Sequence, residues 1–290
     1  MANKVYLNYD QKELDAQYNA RAKVPSFDAF VTQWLNRSKQ VISSLSCRLD
    51  VAYGDSKDDT LDIFYPHGGG PAPVLIFFHG GYWRSGDKSW FRFLAKSFVE
   101  HGATFVIPKY SLFPDQNMDK LIDQCRRAVI WIHNNATEYG GDNSRLFVSG
   151  HSAGGHISGM MMATDWSSQG NLPDDIIKGL IGISGLYDLE PIRLSHVNKV
   201  LRLTKACASR NSPSKKSLSV KPPHTIIAHG MLESEEYRRQ ADYYIDRLHK
   251  AGGNPISIAV EGHHHFSILD AFANPRHRLG SAVLGQLGLA

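Results

Sequence analysis

The chain has 290 residues, a formal net charge of +4, 42% hydrophobic and 21% charged residues. That is length enough for one sizeable core, and the balance excludes a disordered or fibrous chain. Basic residues are dispersed, and the densest cluster, 210–221, mixes Lys with Ser and Pro and lacks interleaved aromatics, which argues against nucleic-acid binding.

The opening residues contain no apolar h-region, and the longest apolar stretches, 74–78 and 256–260, are only strand-length. Neither a signal peptide nor a membrane span is expected. Three widely spaced cysteines (Cys47, Cys125, Cys207) without a C-x-x-C pair argue against a disulfide framework. They fit a reducing, cytoplasmic setting.

Residues 9–45 place Tyr18, Phe27, Phe30, Trp34 and Leu35 among charged neighbours and read as an amphipathic helical arm. From Cys47 onward short apolar runs alternate with helical segments. Strands are predicted at 47–53, 61–65, 74–79, 104–109, 145–149, 178–184, 224–229 and 255–261. Helices are predicted at 87–101, 118–138, 153–164, 235–251 and 266–286. The strands from 74 onward are rich in Val, Ile and Phe without alternation, as expected of strands covered on both faces. Two initial strands followed by repeated β-α units predict one α/β domain over 1–290, with 1–45 as its arm. Its central sheet is expected to be mostly parallel, of about eight strands, flanked by helices. The interval between Gly185 and His224 is too long for a plain connection. Residues 190–208 look helical and 209–223 read as a loop, so 188–223 is expected to be a cap-like insertion roofing a pocket.

The chemistry concentrates at Gly150-His151-Ser152-Ala153-Gly154, between a predicted strand and a predicted helix. A small-x-Ser-x-small run forces a sharp turn there, and its glycines leave room for the backbone while the hydroxyl stands at the tip. The pattern arises by chance in roughly one chain in ten of this length, so its context decides. A nucleophilic serine needs a base, a carboxylate to orient that base, and donors for an oxyanion. His79-Gly80-Gly81-Tyr82-Trp83 ends the strand 74–79, where the N–H of Gly81 or Tyr82, together with that of Ala153, suits an oxyanion hole. The base is sought among His263, His264 and His265. Neighbours in sequence point in different directions and no partner has metal-ligand spacing, so no metal is expected; His265 is preferred and His264 held in reserve. Glu233 follows the strand 224–229 and is the preferred acid, with Asp188 the alternative. Glu235 and Glu236 suit the first turn of the next helix. His79 and His156 suit structural hydrogen bonds, while Tyr82, Trp83, His151 and Phe266 are expected to line the substrate pocket.

The pair H-G-G-Y-W and G-H-S-A-G-G-H resembles the kynurenine formamidase (arylformamidase) branch of the α/β-hydrolase superfamily, which sits close to the hormone-sensitive-lipase-like esterases. Tyr18-Asn19-Ala20-Arg21 with Val24-Pro25, and Ser184-Gly185-Leu186-Tyr187-Asp188-Leu189-Glu190-Pro191, extend the likeness. So do Glu233-Ser234-Glu235-Glu236-Tyr237-Arg238-Arg239-Gln240, similar to the family's acid-S-x-E-aromatic-x-R-Q, and His265-Phe266. The resemblance implies an α/β-hydrolase fold, Glu233 as the orienting carboxylate, His265 as base and Asp188 as structural. Animal formamidases of this kind carry Asp where this chain has Glu233, a departure that bears on the substrate more than on catalysis. The implied function is hydrolysis of an aryl formamide such as N-formylkynurenine through an acyl-enzyme, without a cofactor. A small-molecule substrate is the expected partner, and a homodimer is left open. The alternatives are a carboxylesterase for small acyl esters and a non-catalytic binding protein on the same fold, although such proteins usually lose a triad member.

Overall fold

Side chains along a strand alternate between the two faces of its sheet, and in the middle of this sheet both sets are apolar. The computed structural model describes residues 3–68, 71–170, 172–218 and 220–289. Among these residues the strands are β1 (Ser46–Ala52), β2 (Thr60–Tyr65), β3 (Ala72–Phe78), β4 (Thr104–Pro108), β5 (Gly141–His151), β6 (Ile177–Ile183), β7 (His224–Gly230) and β8 (Ile256–Val260). They form one sheet in the order β1-β2-β4-β3-β5-β6-β7-β8. The pairs β1–β2 and β2–β4 are antiparallel and all the others parallel.

The helices are α1 (Gln11–Gln17), α2 (Phe27–Ser44), α3 (Ala95–Glu100), α4 (Met118–Asn135), α5 (Ala153–Met162), α6 (Glu190–Leu194), α7 (Asn198–Leu201), α8 (Lys205–Arg210), α9 (Glu235–Lys250), α10 (Ile268–Phe272) and α11 (Arg278–Leu287). Every residue of β3 is buried. Val74, Ile76 and Phe78 pack with side chains from α1, α4, α5 and α9, while Leu75 and Phe77 pack with those of α2, α3, α10 and α11. Two cores thus lie on opposite faces of one α/β-hydrolase sheet. No described helix is long and apolar enough to cross a membrane.

The predicted strands and the structure agree closely, and the departures have local causes. The strand at 255–261 is half-exposed rather than covered on both faces, because β8 is the sheet edge and buries only Ile258 and Val260. The single helix expected over 87–101 is two short 3-10 turns followed by α3. Lys88 is drawn down to the buried Asp62, and to Asp50 at 2.6 Å, which interrupts any regular helix there. Pro275 falls between α10 and α11 and splits the segment 266–286, and Pro25 splits the arm before α2. Ser26 then caps α2 by accepting from the Ala29 amide. Parallel strands bring the segments after β3, β5, β6, β7 and β8 to one edge of the sheet, where ligand sites of such sheets form.

Candidate active site

β5 ends at His151 and α5 begins at Ala153, so Ser152 alone joins strand to helix. Its φ of 58° and ψ of −117° lie outside the regions that L-residues favour. The turn tolerates no side chain at Gly150 or Gly154. A Cβ on Gly150 would stand 2.2 Å from the Gly154 carbonyl oxygen, and one on Gly154 1.9 Å from that of Phe78. The Ser152 amide donates to the Ile183 carbonyl at 2.8 Å, which ties the turn to β6.

His265 Nε2 lies 3.0 Å from Ser152 Oγ, and its Nδ1 lies 2.5 Å from Glu233 Oε1. A proton shared on the Nδ1 side leaves Nε2 with its lone pair facing the hydroxyl. Glu233 Oε2 accepts from the Gly230 amide at 2.7 Å and from the Ser184 hydroxyl at 2.8 Å. Ser152 is 2% and His265 7% exposed, and the Glu233 side chain is 1% exposed. A buried carboxylate needs this many donors. The Tyr237 and His151 rings each pack 4.5 Å, centroid to centroid, from that of His265.

The competing candidates are engaged elsewhere. Asp188 accepts from the Glu190 amide and pairs with Lys215 at 3.1 Å. Glu235 accepts from Tyr9, and Glu236 from Tyr18 and Arg239. His263 turns its Nδ1 to Ser267, while His264 Nδ1 accepts the amides of Phe266 and Ser267. His79 stacks on Tyr110 at 4.4 Å, and burial pushes its pKa down to about 4. His156 accepts from Trp83 Nε1 and donates to the Asn211 carbonyl; burial lowers it to about 4 as well. His151 donates from Nε2 to the His265 carbonyl at 2.7 Å. Its pKa falls well below 6.5, chiefly through burial and then through the neighbouring His265.

The segment after β3 turns on three consecutive left-handed residues, Gly81 (φ 121°), Tyr82 (φ 50°) and Trp83 (φ 55°). A Cβ on Gly81 would fall 1.9 Å from the Ser85 carbonyl oxygen, so only glycine fits. The Gly81 carbonyl takes the Arg84 and Ser85 amides. Among the described residues no acceptor meets the amides of Gly81 or Tyr82, and the Ala153 amide opens α5, where first-turn N–H groups lack an intrahelical partner. Among the same residues no cluster of three or more His, Cys, Asp or Glu side chains could hold a metal ion.

Above Ser152 lies a cavity of about 260 Å³, into which Tyr82, His151, His265 and Phe266 face. Trp83, expected in its wall, is not there. The left-handed turn sends its indole into the core, where it is 0% exposed against His156. The expected roof is also differently built. The arm supplies Tyr18, Asn19, Ala20, Arg21, Phe27 and Trp34, whereas among the described residues of the 188–223 insertion only His196 contributes. Leu189, Ile192, Leu201 and Cys207 of the insertion are spent on core packing instead. Sequence reasoning missed Ser184 and Tyr237. Both lie inside quoted motifs, and an unusual φ of 50° at Ser184 is a signal that only coordinates reveal.

Known proteins resemble this chain over these same elements. The family described as BD-FAE matches residues 61–230. Kynurenine formamidase of Danio rerio is 32% identical over 287 residues, which cover 95% of this chain and 96% of the relative. Esterase LipC of Mycobacterium tuberculosis is 29% identical over 245 residues, covering 77% of this chain and 60% of that protein. A Silicibacter sp. protein of solved structure superposes with a TM-score of 0.81 at 26% identity, covering 93% of this chain and 98% of the other. The chain is a hydrolase and belongs to the kynurenine formamidase family of the α/β-hydrolase superfamily, beside the hormone-sensitive-lipase-like esterases.

Proposed function

We propose that the protein hydrolyses an aryl formamide such as N-formylkynurenine to formate and the free aryl amine, with Ser152 as nucleophile, His265 as base and Glu233 as the carboxylate that orients it. The observation that carries this reading is the unbroken hydrogen-bond chain from Glu233 through His265 to Ser152 beneath an aromatic-walled cavity.

Ser152 Oγ attacks the formyl carbon as His265 Nε2 takes its proton, and Glu233 stabilises the imidazolium. The amides of Gly81 or Tyr82 and of Ala153 hold the oxyanion; loss of one such donor typically costs about 3 kcal/mol. His265 then protonates the amine nitrogen as the C–N bond breaks. Water, losing a proton to His265, attacks the formyl ester; that proton returns to Ser152 Oγ as formate leaves. Besides its carbonyl oxygen and amide nitrogen, a formyl carbon carries only hydrogen, which suits the crowding at the serine. The position of a Cβ on Gly80 would already lie 3.2 Å from Ser152 Cβ. Phe27, Trp34, Trp90 and Phe266 offer flat apolar walls to an aryl group.

The second reading, a carboxylesterase for small acyl esters, draws on the same crowding and on the likeness to esterase LipC. Steady-state hydrolysis of N-formylkynurenine beside p-nitrophenyl acetate separates the two. A much larger kcat/KM for the formamide, with a loss of about 10⁴-fold or more in Ser152→Ala, is the expected result. Turnover of the ester alone would replace the first reading with the second.

A further inference from the structure

The residues lining the cavity include two arginines and three histidines but no aspartate or glutamate. Arg21 belongs to the arm, and Arg84 follows the turn that carries Gly81 and Tyr82. Neither guanidinium forms an ion pair with a described carboxylate, although other cationic side chains throughout the chain do. Arg21 is held in place without one. Its guanidinium lies over the Phe27 ring at 4.1 Å, and Nη2 donates to Ser85 Oγ at 3.3 Å. Arg84 is the chain neighbour of that Ser85, lines the same cavity and makes no side-chain hydrogen bond among the described residues. Burial first and Arg84 second push the Arg21 pKa down, with Asp28 opposing them. Two like charges kept together beside a hydrophobic wall are unfavourable on their own and become favourable once an anion sits between them.

We propose that Arg21 and Arg84 form a carboxylate subsite at the solvent side of the cavity, so that the enzyme selects aromatic substrates bearing a carboxylate remote from the scissile bond. The inference rests on the reading of the Ser152 cavity as the substrate site. Ser152 is nearly fully buried and Arg21 exposed, so the ligand runs from the reacting carbonyl at the floor, past Trp34 and Phe266, to the guanidiniums at the rim. A planar, pre-oriented guanidinium recognises a carboxylate by paired charge-assisted hydrogen bonds. The same charges repel cationic ligands and slow their capture.

The test is calorimetric binding of 3-phenylpropionate and of 3-phenylpropanol to the intact protein. The two share an aryl body and differ in the carboxylate, and neither needs to be turned over. The wild type is expected to bind the acid about tenfold or more tightly than the alcohol, the range of hydrogen bonds to charged groups. Arg21→Gln and Arg84→Gln are each expected to shrink that ratio, and the double variant to bring it within about twofold. Arg21→Lys is expected to retain part of it. Equal binding of acid and alcohol by the wild type, or a ratio unchanged in the double variant, overturns the subsite. Raising salt from 50 to 500 mM is expected to weaken the acid and leave the alcohol as it was; the reverse pattern also overturns it. Failure of the formamidase reading appears separately, as absent N-formylkynurenine turnover, and leaves this ratio intact.

Discussion

Glu233 divides its two oxygens between different tasks. Oε1 faces His265, while Oε2 is fixed by the Gly230 amide and the Ser184 hydroxyl. On the proposed mechanism Ser184 acts through Glu233 as a positioning residue and does not touch the reacting atoms. Ser184→Ala is expected to lower kcat about ten- to hundredfold with KM little changed, since a hydrogen bond to a charged group contributes about 1.5 to 3 kcal/mol. A rise in KM with kcat intact would remove this role. Glu233→Gln, which disturbs the tautomer of His265, is expected to cost on the order of 10³ to 10⁴ in kcat. Gly154 shows the opposite kind of constraint, in which space alone decides. Its Cβ would stand 1.9 Å from a main-chain oxygen of β3. Gly154→Ala is thus expected to destabilise by about 3 kcal/mol or more and to reach the soluble fraction poorly. A variant melting within a few degrees of wild type would contradict that.

At the scale of elements, a polar lock adds to the aromatic packing that holds the arm against α9 and the loop after β3. Tyr18 donates to Glu236 at 2.6 Å, Arg239 holds the same carboxylate at 2.6 Å, and Ser234 donates to the Gln17 carbonyl at 2.6 Å. Tyr82 donates to the Tyr18 carbonyl at 2.7 Å and meets the Tyr237 hydroxyl at 2.8 Å. Gln240 accepts the amides of Tyr187 and Asp188, which secures the segment after β6. Glu236→Ala leaves Arg239 and Tyr18 without their acceptor and is expected to cost about 3 kcal/mol. The same variant should raise KM more than it lowers kcat, because the cavity wall loosens while the Ser152–His265 pair stays in place. Limited proteolysis near 18–26 would read the loosening directly, and unchanged cleavage there would count against it.

This lock also shows where the sequence is readable. The strands stand out because apolar runs are local, and Gly150, Ser152 and Gly154 stand out because a turn constrains its own residues. The motif from Glu233 to Gln240 is visible through likeness to a family, yet what each position does is not. Tyr18 and Glu236 are 218 residues apart, and nothing near either predicts their meeting. Trp83 and the broken helix at 87–101 mislead for the same reason, since a left-handed turn and a lysine drawn to Asp62 follow from the sheet order.

For the whole molecule, the buried histidines tie stability to pH. His79 and His156 titrate near 4 in the folded chain against 6.5 as a free side chain, and His151 lies well below 6.5. The folded protein keeps all three neutral, so between about 6.5 and 4 the unfolded chain binds more protons. Their stabilising contribution is complete above 6.5 and declines as the pH falls towards 4. The expected slope is up to about 1 kcal/mol per pH unit for each group within that window. Urea unfolding at pH 7.5 and at pH 5.0 measures it, and equal midpoints would refute it.

The long separation between Ser152 and His265 also orders events during synthesis. The serine precedes the histidine by 113 residues, an interval of roughly six to twenty seconds at ordinary elongation rates. On the proposed mechanism, a chain synthesised only as far as β6 holds Ser152 without its base, and activity waits for residue 265 to be added and folded.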